Sequence, residues 1–260
     1  MKTGTKRSAN TKRPNGVFIT FEGIEGSGKT TQLARLAKSL REERYHVLET
    51  REPGSTPLAE RIRGLLLDVS SAPPSPELMT SECEAALILA ARSQHVAQVI
   101  TPALQEGMIV LCDRFSDSTS AYQGYGRRLG LAELRRVNRV VTHGLSPNLT
   151  LLFDLPVPSG LARRRRERAV QNRLDQETRR FHERVRRGFL DLAGRHPRRI
   201  HVIDARPDPD IVADQVAEIV KTYLGKQKRF FRDRDQSPPA YLKRPPARPQ
   251  MARTPRRTPL

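Results

Sequence analysis

A short run near the N-terminus combines glycines, a lysine and a threonine at the spacing of a phosphate-binding loop. Residues 23–30 read GIEGSGKT, which fits the pattern G-x-x-x-x-G-K-[S/T] at every fixed position. In such a loop the glycines let backbone N–H groups converge on phosphate oxygens, and the following helix N-terminus adds partial positive charge. Lys29 is then placed to reach the terminal phosphates of a nucleotide, and the Thr30 hydroxyl to hold Mg²⁺. The competing interpretation is an ordinary glycine-rich turn.

The elements around this run decide between the two interpretations. The apolar run at 17–21 predicts a buried strand, and residues 31–40 repeat apolar side chains along one helix face. A strand, a glycine-rich loop and a helix in this order are what a phosphate site requires. The context therefore favours a nucleotide site.

Charged residues follow two further predicted strands. Arg51 comes after a strand at 46–50, and Asp113 and Arg114 come after an unbroken apolar strand at 108–112. Doubly wound sheets bind ligands at the carboxyl ends of their strands. Asp113 is suited to hold Mg²⁺ through water, and Arg114 to clamp a second phosphate.

Two helical patterns carry further candidates. A long helix is predicted from about 77 to 105, with a break near Pro102, and Arg92 lies among its apolar residues. An arginine there is costly unless it meets an anion, so Arg92 is a candidate ligand contact, with a snorkelling surface arginine as the alternative. Residues 116–124 read SDSTSAYQG and offer hydroxyl and amide groups suited to a base edge.

An arginine-rich segment follows the predicted strand at 149–154. Residues 163–168 read RRRRER, and Arg173 comes shortly afterwards. Such a run is commonly a solvated helix face, but after a strand of a phosphate-loop protein it favours a lid that closes arginines over the transferring phosphoryl group. Helices at 131–141, 176–194 and 209–224 and a strand at 200–204 complete the predicted domain.

The net charge of +19 is concentrated at the two ends of the chain. Residues 1–15 carry +5 and residues 226–260 carry +9, which leaves +5 on the 210 residues between them. We expect a disordered basic arm at 1–15, a folded domain at 16–225 and a disordered Pro/Arg-rich tail at 226–260. The tail is either a solvated extension without a role or a weak, salt-sensitive contact for nucleic acid or another polyanion.

Apolar runs and cysteines in the sequence indicate where in the cell the protein acts. No apolar run is long enough to span a bilayer, and the basic N-terminus lacks the apolar segment of a secretory signal, so we expect a cytoplasmic protein without a membrane contact. Cys83 and Cys112 lie in apolar segments without metal-ligand spacing, and we expect both to be buried free thiols.

Six blocks together resemble bacterial thymidylate kinases. They are EGIEGSGKTT at 22–31, REPG at 51–54, AARSQH at 90–95, DRF at 113–115, DSTSAYQG at 117–124 and the arginine-rich segment. The resemblance covers roughly residues 16–224. It implies the α/β nucleoside monophosphate kinase fold of P-loop NTPases, with a five-stranded parallel sheet flanked by helices and a short arginine-rich lid. It also implies a homodimer packed through helices and transfer of the γ-phosphoryl group of ATP to dTMP with Mg²⁺.

The resemblance assigns roles to individual positions. The ATP site comprises Gly23, Ile24, Glu25, Gly26, Ser27, Gly28, Lys29, Thr30 and Thr31. The dTMP site comprises Glu25, Arg51, Ile88, Arg92, Arg114, Thr119, Tyr122 and Gln123, with Thr119 and Gln123 facing thymine. The metal contacts are Thr30 and, through water, Asp113. The catalytic residues are Lys29, Arg114 and an arginine of the lid, which is Arg164, Arg168 or Arg173 because residues 24–27 contain no basic side chain.

One position departs from the family pattern. Members usually place a phenylalanine, which stacks on thymine, where this chain has Ile88. Loss of aromatic stacking costs about 0.5–1.5 kcal/mol, so either weaker dTMP binding or a different base preference follows. The alternatives to a dTMP kinase are another nucleoside monophosphate kinase, a deoxynucleoside kinase, or a degenerate kinase that acts through its basic tails.

Overall fold

The computed structural model describes residues 16–68, 78–166 and 173–227. Five parallel strands form its centre, in the spatial order β2-β3-β1-β4-β5. They are β1 (Val17–Gly23), β2 (Val47–Arg51), β3 (Ile109–Asp113), β4 (Leu149–Asp154) and β5 (Ile200–Asp204). All five strands begin or end within two residues of the predicted bounds, and the five-stranded parallel sheet confirms the predicted fold class.

Helices connect the strands and cover both faces of the sheet. They are α1 (Lys29–Glu42), α2 (Pro57–Leu67), α3 (Ser81–His95), α4 (Thr101–Gln105), α5 (Ser116–Thr119), α6 (Leu131–Val141), α7 (Val157–Arg166), α8 (Arg179–Arg195) and α9 (Pro209–Gln227). π-Helical segments at Val96–Ile100 and Ser120–Gly126 continue α3 into α4 and extend α5.

The long helix predicted at 77–105 differs from the structure at its start and in its interior. α3 begins at Ser81, where the Thr80 hydroxyl accepts a hydrogen bond from the Cys83 N–H and caps the first turn. Pro102 lies in the first turn of α4, directly after the π-helical segment, where its missing N–H costs little. The proline therefore starts a helical turn instead of ending the helix.

The two sheet faces are covered by different helices. On one face, alternate residues of the central strands, such as Ile19 and Leu151, pack with α1 and α9. On the other face, Phe18 and Val110 pack with the helical segment around Ile100, and α8 packs with the π-helical segment that contains Tyr122. Because β1 is buried on both faces, it is apolar almost throughout.

The structure also bears on the predictions for the C-terminal tail, the two cysteines and membrane contact. α9 ends at Gln227, so the first two residues of the predicted tail belong to a helix, while residues 1–15 and 228–260 lie outside the described residues. Cys112 is buried as expected, but Cys83 is exposed because it occupies the solvent-facing side of the first turn of α3. None of the helices in the described ranges combines the length and apolar character that crossing a membrane needs.

Candidate active site

The phosphate-binding loop joins β1 to α1 at the carboxyl edge of the sheet. Gly28 has a φ of 84°, a backbone conformation that favours glycine, and it directly precedes the first residue of α1. Lys29 is buried, and its ammonium group donates to the Ile24 carbonyl at 2.7 Å and to Ser27 Oγ at 3.2 Å. Burial, together with nearby Arg114, lowers the pKa of Lys29 to about 8. The lysine is therefore held in the loop by neutral hydrogen-bond partners.

The predicted metal contacts lie side by side. The Thr30 hydroxyl donates to Asp113 Oδ2 at 2.5 Å, although the two residues come from α1 and from the end of β3. A hydroxyl and a carboxylate are oxygen ligands of the kind Mg²⁺ prefers. No cluster of three or more His, Cys, Asp or Glu side chains suited to a metal occurs in the described part of the chain. The pair fits Mg²⁺ that takes its other ligands from phosphates and water.

A partly buried ion pair lies beside the loop. Arg114, which has a φ of 70°, donates to Glu25 Oε1 at 3.1 Å and to the Gly23 carbonyl at 3.0 Å. The Tyr122 hydroxyl donates to the same carboxylate at 2.7 Å. Burial works to raise the pKa of Glu25, but Arg114 and Lys29 outweigh it and hold the pKa below its ordinary value. Glu25 is therefore ionised at neutral pH.

Arg92 is almost completely buried, so the alternative of a snorkelling surface arginine is wrong. Its Nε donates to Glu52 Oε2 at 2.7 Å, and its Nη1 donates to Thr119 Oγ1 and Asn138 Oδ1, both at 2.8 Å. His95 contacts the second oxygen of Glu52 at 3.1 Å. The anion that buried Arg92 requires is thus supplied by the protein itself, as the carboxylate of Glu52.

Gln123 belongs to a second buried cluster, which is centred on Glu84. The Gln123 Nε2 donates to Glu84 Oε1 at 2.7 Å, and Arg127 and Arg173 donate to Glu84 Oε2 at 2.9 and 2.5 Å. Burial works to raise the pKa of Glu84, and the hydrogen bonds from Arg127, Gln123 and Arg173 lower it below its ordinary value. Glu84 is therefore a buried carboxylate with three donors.

The predicted lid arginines have different surroundings. Arg164 forms an ion pair with Asp175 at 3.2 Å, and Arg163 donates to the Ala205 carbonyl. Arg168 lies outside the described residues. Arg173 is buried, and besides Glu84 it contacts the Leu66 carbonyl at 3.2 Å. Of the two described candidates, Arg164 lines the cavity beside the phosphate loop, whereas Arg173 is not among the residues that line it.

One cavity of 740 Å³ connects these groups. The sequence-predicted residues that line it are Glu25, Gly26, Gly28, Lys29, Thr30, Thr31, Arg51, Ile88, Arg92, Asp113, Arg114, Thr119, Tyr122, Gln123 and Arg164. Gly23, Ile24 and Ser27 belong to the same loop without lining this cavity. A second cavity of 320 Å³ lies on the outer side of the loop, between Gly28, Arg163 and Pro209.

Comparison with known proteins agrees with this geometry. The thymidylate kinase family model matches residues 21–216. Curated thymidylate kinases of Geobacter sulfurreducens and Thermomicrobium roseum are 49% and 51% identical over 79% and 82% of this chain, and over 96% and 98% of their own lengths. The chain belongs to the thymidylate kinase family. It is therefore a kinase that phosphorylates dTMP.

A solved family member has the same architecture. The crystal structure of the thymidylate kinase from Ehrlichia chaffeensis superposes with a TM-score of 0.63 at 36% identity, over 80% of this chain and 99% of that one. The match to the family model ends at residue 216, before the C-terminal tail. The family resemblance inferred from the six sequence blocks is thereby confirmed.

Several site residues were missed by the sequence reasoning. Arg63 lines the cavity from α2 and donates to the Pro53 carbonyl at 2.9 Å, and burial together with Arg51 lowers its pKa. Glu52 and Glu84 are the carboxylates that hold Arg92 and Gln123. Glu52 lies in the REPG block, and that block could have identified it as a site residue. Arg63 and Glu84 carry no sequence pattern that separates them from surface charges of a helix.

Proposed function

We propose that this thymidylate kinase family member transfers the γ-phosphoryl group of ATP to dTMP across the 740 Å³ cavity, with the loop at 23–31 on the donor side. The observation that carries the assignment of roles is that Lys29, Arg114 and Gln123 line one continuous space. A lysine at the phosphate loop, a second cation that is partly buried and an amide that can face a base are the groups that two facing nucleotides need.

The reaction requires alignment and charge neutralisation more than acid–base chemistry. The acceptor is a phosphate whose second pKa near 6 leaves it largely dianionic at neutral pH, so no strong general base is needed. Lys29 and Arg114 reduce the repulsion between donor and acceptor, and Arg164 is the described lid candidate that lines the same cavity. Thr30 and Asp113 would hold Mg²⁺, which neutralises charge on the donor phosphates when bound.

The second cavity is suited to the nucleoside of the donor. It begins at the outer side of the phosphate loop, where Gly28 and Thr31 line it, and continues to Pro209 and Val212 at the start of α9. A nucleotide that spans both cavities places its phosphates on the loop between them. Arg163, which also lines this space, is held by the Ala205 carbonyl.

An acceptor comparison tests the proposed function. ADP release is measured with Mg²⁺-ATP and dTMP, dUMP, dCMP, dGMP, UMP, CMP, AMP or thymidine. We expect the highest kcat/KM with dTMP, which would show that Ile88 is a tolerated variation. A higher kcat/KM with another monophosphate or with thymidine would replace the proposed acceptor, and the absence of turnover with all of them would indicate a degenerate kinase.

We also propose a homodimer, packed through α2, α3 and α6. The support is apolar side chains exposed on two helices that both pack on α3: Leu58 and Leu65 on α2, and Val137 and Val140 on α6. An exposed apolar surface of this kind is expected where a second subunit covers it. We place the protein in the cytoplasm, and its two unpaired cysteines agree with a reducing compartment.

The basic tail supports a second, independent contact. Residues 228–260 contain ten lysines and arginines against two aspartates. We expect full-length protein to bind DNA weakly, with an affinity that falls steeply as salt is raised, and a chain ending at Gln227 to lose this binding without a change in kcat/KM for dTMP. DNA binding that persists in the shortened chain would exclude the tail as the contact.

A further inference from the structure

The amide of Gln123 has only one orientation open to it. Glu84, which is ionised and almost completely buried, can only accept hydrogen bonds. The Gln123 Nε2 therefore faces Glu84 Oε1, at 2.7 Å, because a reversed amide would set two oxygens against each other. No described residue donates to the Gln123 Oε1, and Gln123 lines the main cavity. The side chain thus offers the cavity a hydrogen-bond acceptor.

The guanidinium of Arg92 provides a hydrogen-bond donor close to Gln123, because it contacts Thr119, about one helical turn away. Arg92 Nη1 donates to Thr119 Oγ1 at 2.8 Å, and Thr119 precedes Gln123 by four residues in the same continuous helical segment. Among the described residues none accepts from Arg92 Nη2, although Arg92 also lines the cavity. A guanidinium has donors and no acceptor. The cavity wall therefore pairs a donor from Arg92 with an acceptor from Gln123.

The Arg92 donor and the Gln123 acceptor are complementary to the hydrogen-bonding edge of one class of pyrimidine. Thymine and uracil present an acceptor at O4 next to a donor at N3–H, whereas cytosine presents a donor at N4 next to an acceptor at N3. We propose that Glu84 is a specificity-determining positioning residue, which selects 4-oxopyrimidines over 4-aminopyrimidines by holding the Gln123 amide in the acceptor-outward orientation. This inference rests on the proposed function, in which the acceptor base lies against Gln123.

The Glu84→Gln variant makes the sharpest test, because the surrounding arginines decide how the new amide turns. Arg127 and Arg173 donate to Glu84 Oε2 at 2.9 and 2.5 Å, whereas the contact from Arg127 Nε to Oε1 is longer, at 3.2 Å. The oxygen of the substituted amide is therefore drawn to the Oε2 position, and its NH₂ group faces Gln123. Gln123 must then turn its own oxygen inward and present NH₂ to the cavity. The group that Gln123 offers to the base changes from an acceptor to a donor without a change of volume, while Arg92 remains a donor.

The measurement is kcat/KM for dTMP, dUMP and 5-methyl-dCMP, since 5-methyl-dCMP differs from dTMP only at the 4-position and N3. For E84Q we expect the ratio of dTMP to 5-methyl-dCMP to fall at least tenfold, while the ratio of dTMP to dUMP, which reports only the methyl group, stays the same. Glu84→Asp is the second variant, for use if E84Q does not fold. It keeps a negative charge for the arginines but moves the carboxylate away from Gln123, so we expect it also to lower the ratio of dTMP to 5-methyl-dCMP.

Arg127→Gln is the matched control, because it removes one partner of Glu84 without removing the contact to Gln123. It should leave both ratios unchanged. An equal loss of activity toward all three acceptors in the Glu84 variants, or a loss of discrimination in R127Q as large as in E84Q, would overturn the proposal by showing a merely structural role. Wild-type protein that does not phosphorylate dTMP would instead refute the proposed function, before any variant is compared.

Discussion

Lys29 is a buried cation whose hydrogen-bond partners are neutral. Within the described residues its ammonium group donates only to a carbonyl and a hydroxyl, and burial with Arg114 nearby lowers its pKa to about 8. A buried lysine without an ionic partner costs stability, and a bound polyphosphate would supply that partner. The residue is thus better suited to the nucleotide complex than to the protein alone.

Replacing Lys29 by methionine should therefore separate activity from stability. We expect kcat/KM for ATP to fall at least about 100-fold, since an electrostatic contact to the transferring group is lost, while the melting temperature does not fall. Steady-state kinetics and thermal unfolding measure the two effects. The control is Lys38→Met on the exposed side of the same helix, which should change neither. Near-normal turnover in folded K29M would count against the assigned role.

The buried carboxyl group of Glu22 makes the stability of the fold depend on pH. Burial, together with nearby Asp117, raises its pKa from 4.5 to about 8. Between these two values the folded protein binds more protons than the unfolded chain, so the free energy of unfolding decreases as the pH rises from about 4.5 to about 8. The stability from the neutral carboxyl is complete below pH 4.5 and is lost as the pH passes the folded-state value.

Glu22→Gln should remove this dependence. The amide keeps an acceptor for the Phe115 N–H and a partner for Ser118 Oγ, the two contacts of the carboxyl group. We expect the stability of E22Q relative to wild type to increase by on the order of 3 kcal/mol between pH 5 and pH 8. Urea unfolding at both pH values measures it. A difference that is the same at both would show that Glu22 does not titrate in this range.

At the scale of elements, the phosphate loop and α7 touch through their backbones. A Cβ atom on Gly160 would lie 2.6 Å from the Glu25 carbonyl oxygen, and one on Gly26 would lie 2.3 Å from the Gly160 carbonyl oxygen. Glycine at both positions lets the first turns of α7 rest directly on the loop. Since α7 also carries Arg163 and Arg164, this contact sets how far those arginines lie from the phosphate loop.

Gly160→Ala should therefore disturb both packing and catalysis. Because the added methyl group meets backbone, we expect a loss of about 1–3 kcal/mol in stability and at least a tenfold fall in kcat. Thermal unfolding and ADP release give the two values. Gly194→Ala in α8, where an added Cβ meets nothing within 4 Å, should be neutral or stabilising. Equal behaviour of the two variants would argue that the approach of α7 has no consequence.

At the scale of the whole molecule, α2 and α6 expose apolar side chains that a single subunit does not cover. Val140 is 68% exposed and Leu65 is 58% exposed, on helices that both pack on α3. Two of these three helices, α2 and α3, also carry Arg63 and Arg92 of the main cavity. Association through this surface would therefore support the walls of the active site.

Val140→Glu should produce a monomer, because a carboxylate at the proposed interface would lose its hydration on association. We expect wild type to elute as a dimer and V140E as a monomer, as measured by sedimentation or light scattering. Val202→Glu is the control, since Val202 is half exposed on the edge strand β5. A monomeric wild type, or a dimeric V140E, would contradict the proposed interface.

Local patterns in the sequence were sufficient to predict the five strands and part of the site. Signals within a few neighbouring residues predicted the positions of the five strands, the phosphate loop with Lys29 and Thr30, and the charged residues at the carboxyl ends of β2 and β3. Such signals are local because hydrophobic periodicity and loop geometry involve only the nearest residues along the chain. Parallel pairing then brings every strand end to one edge.

Only the tertiary structure decided which charges meet. Arg92 binds Glu52 from 40 residues away, and Glu84 holds both Gln123 and Arg173, the latter predicted to be catalytic. Glu84 lies on a helix, where a carboxylate has the same local pattern whether it is solvated or buried, so the sequence could not separate it from surface charges. Glu52 lies in the REPG block, but that block does not identify Arg92 as its partner. Burial removes water as the alternative partner, and the few donors left within reach then determine the pairing.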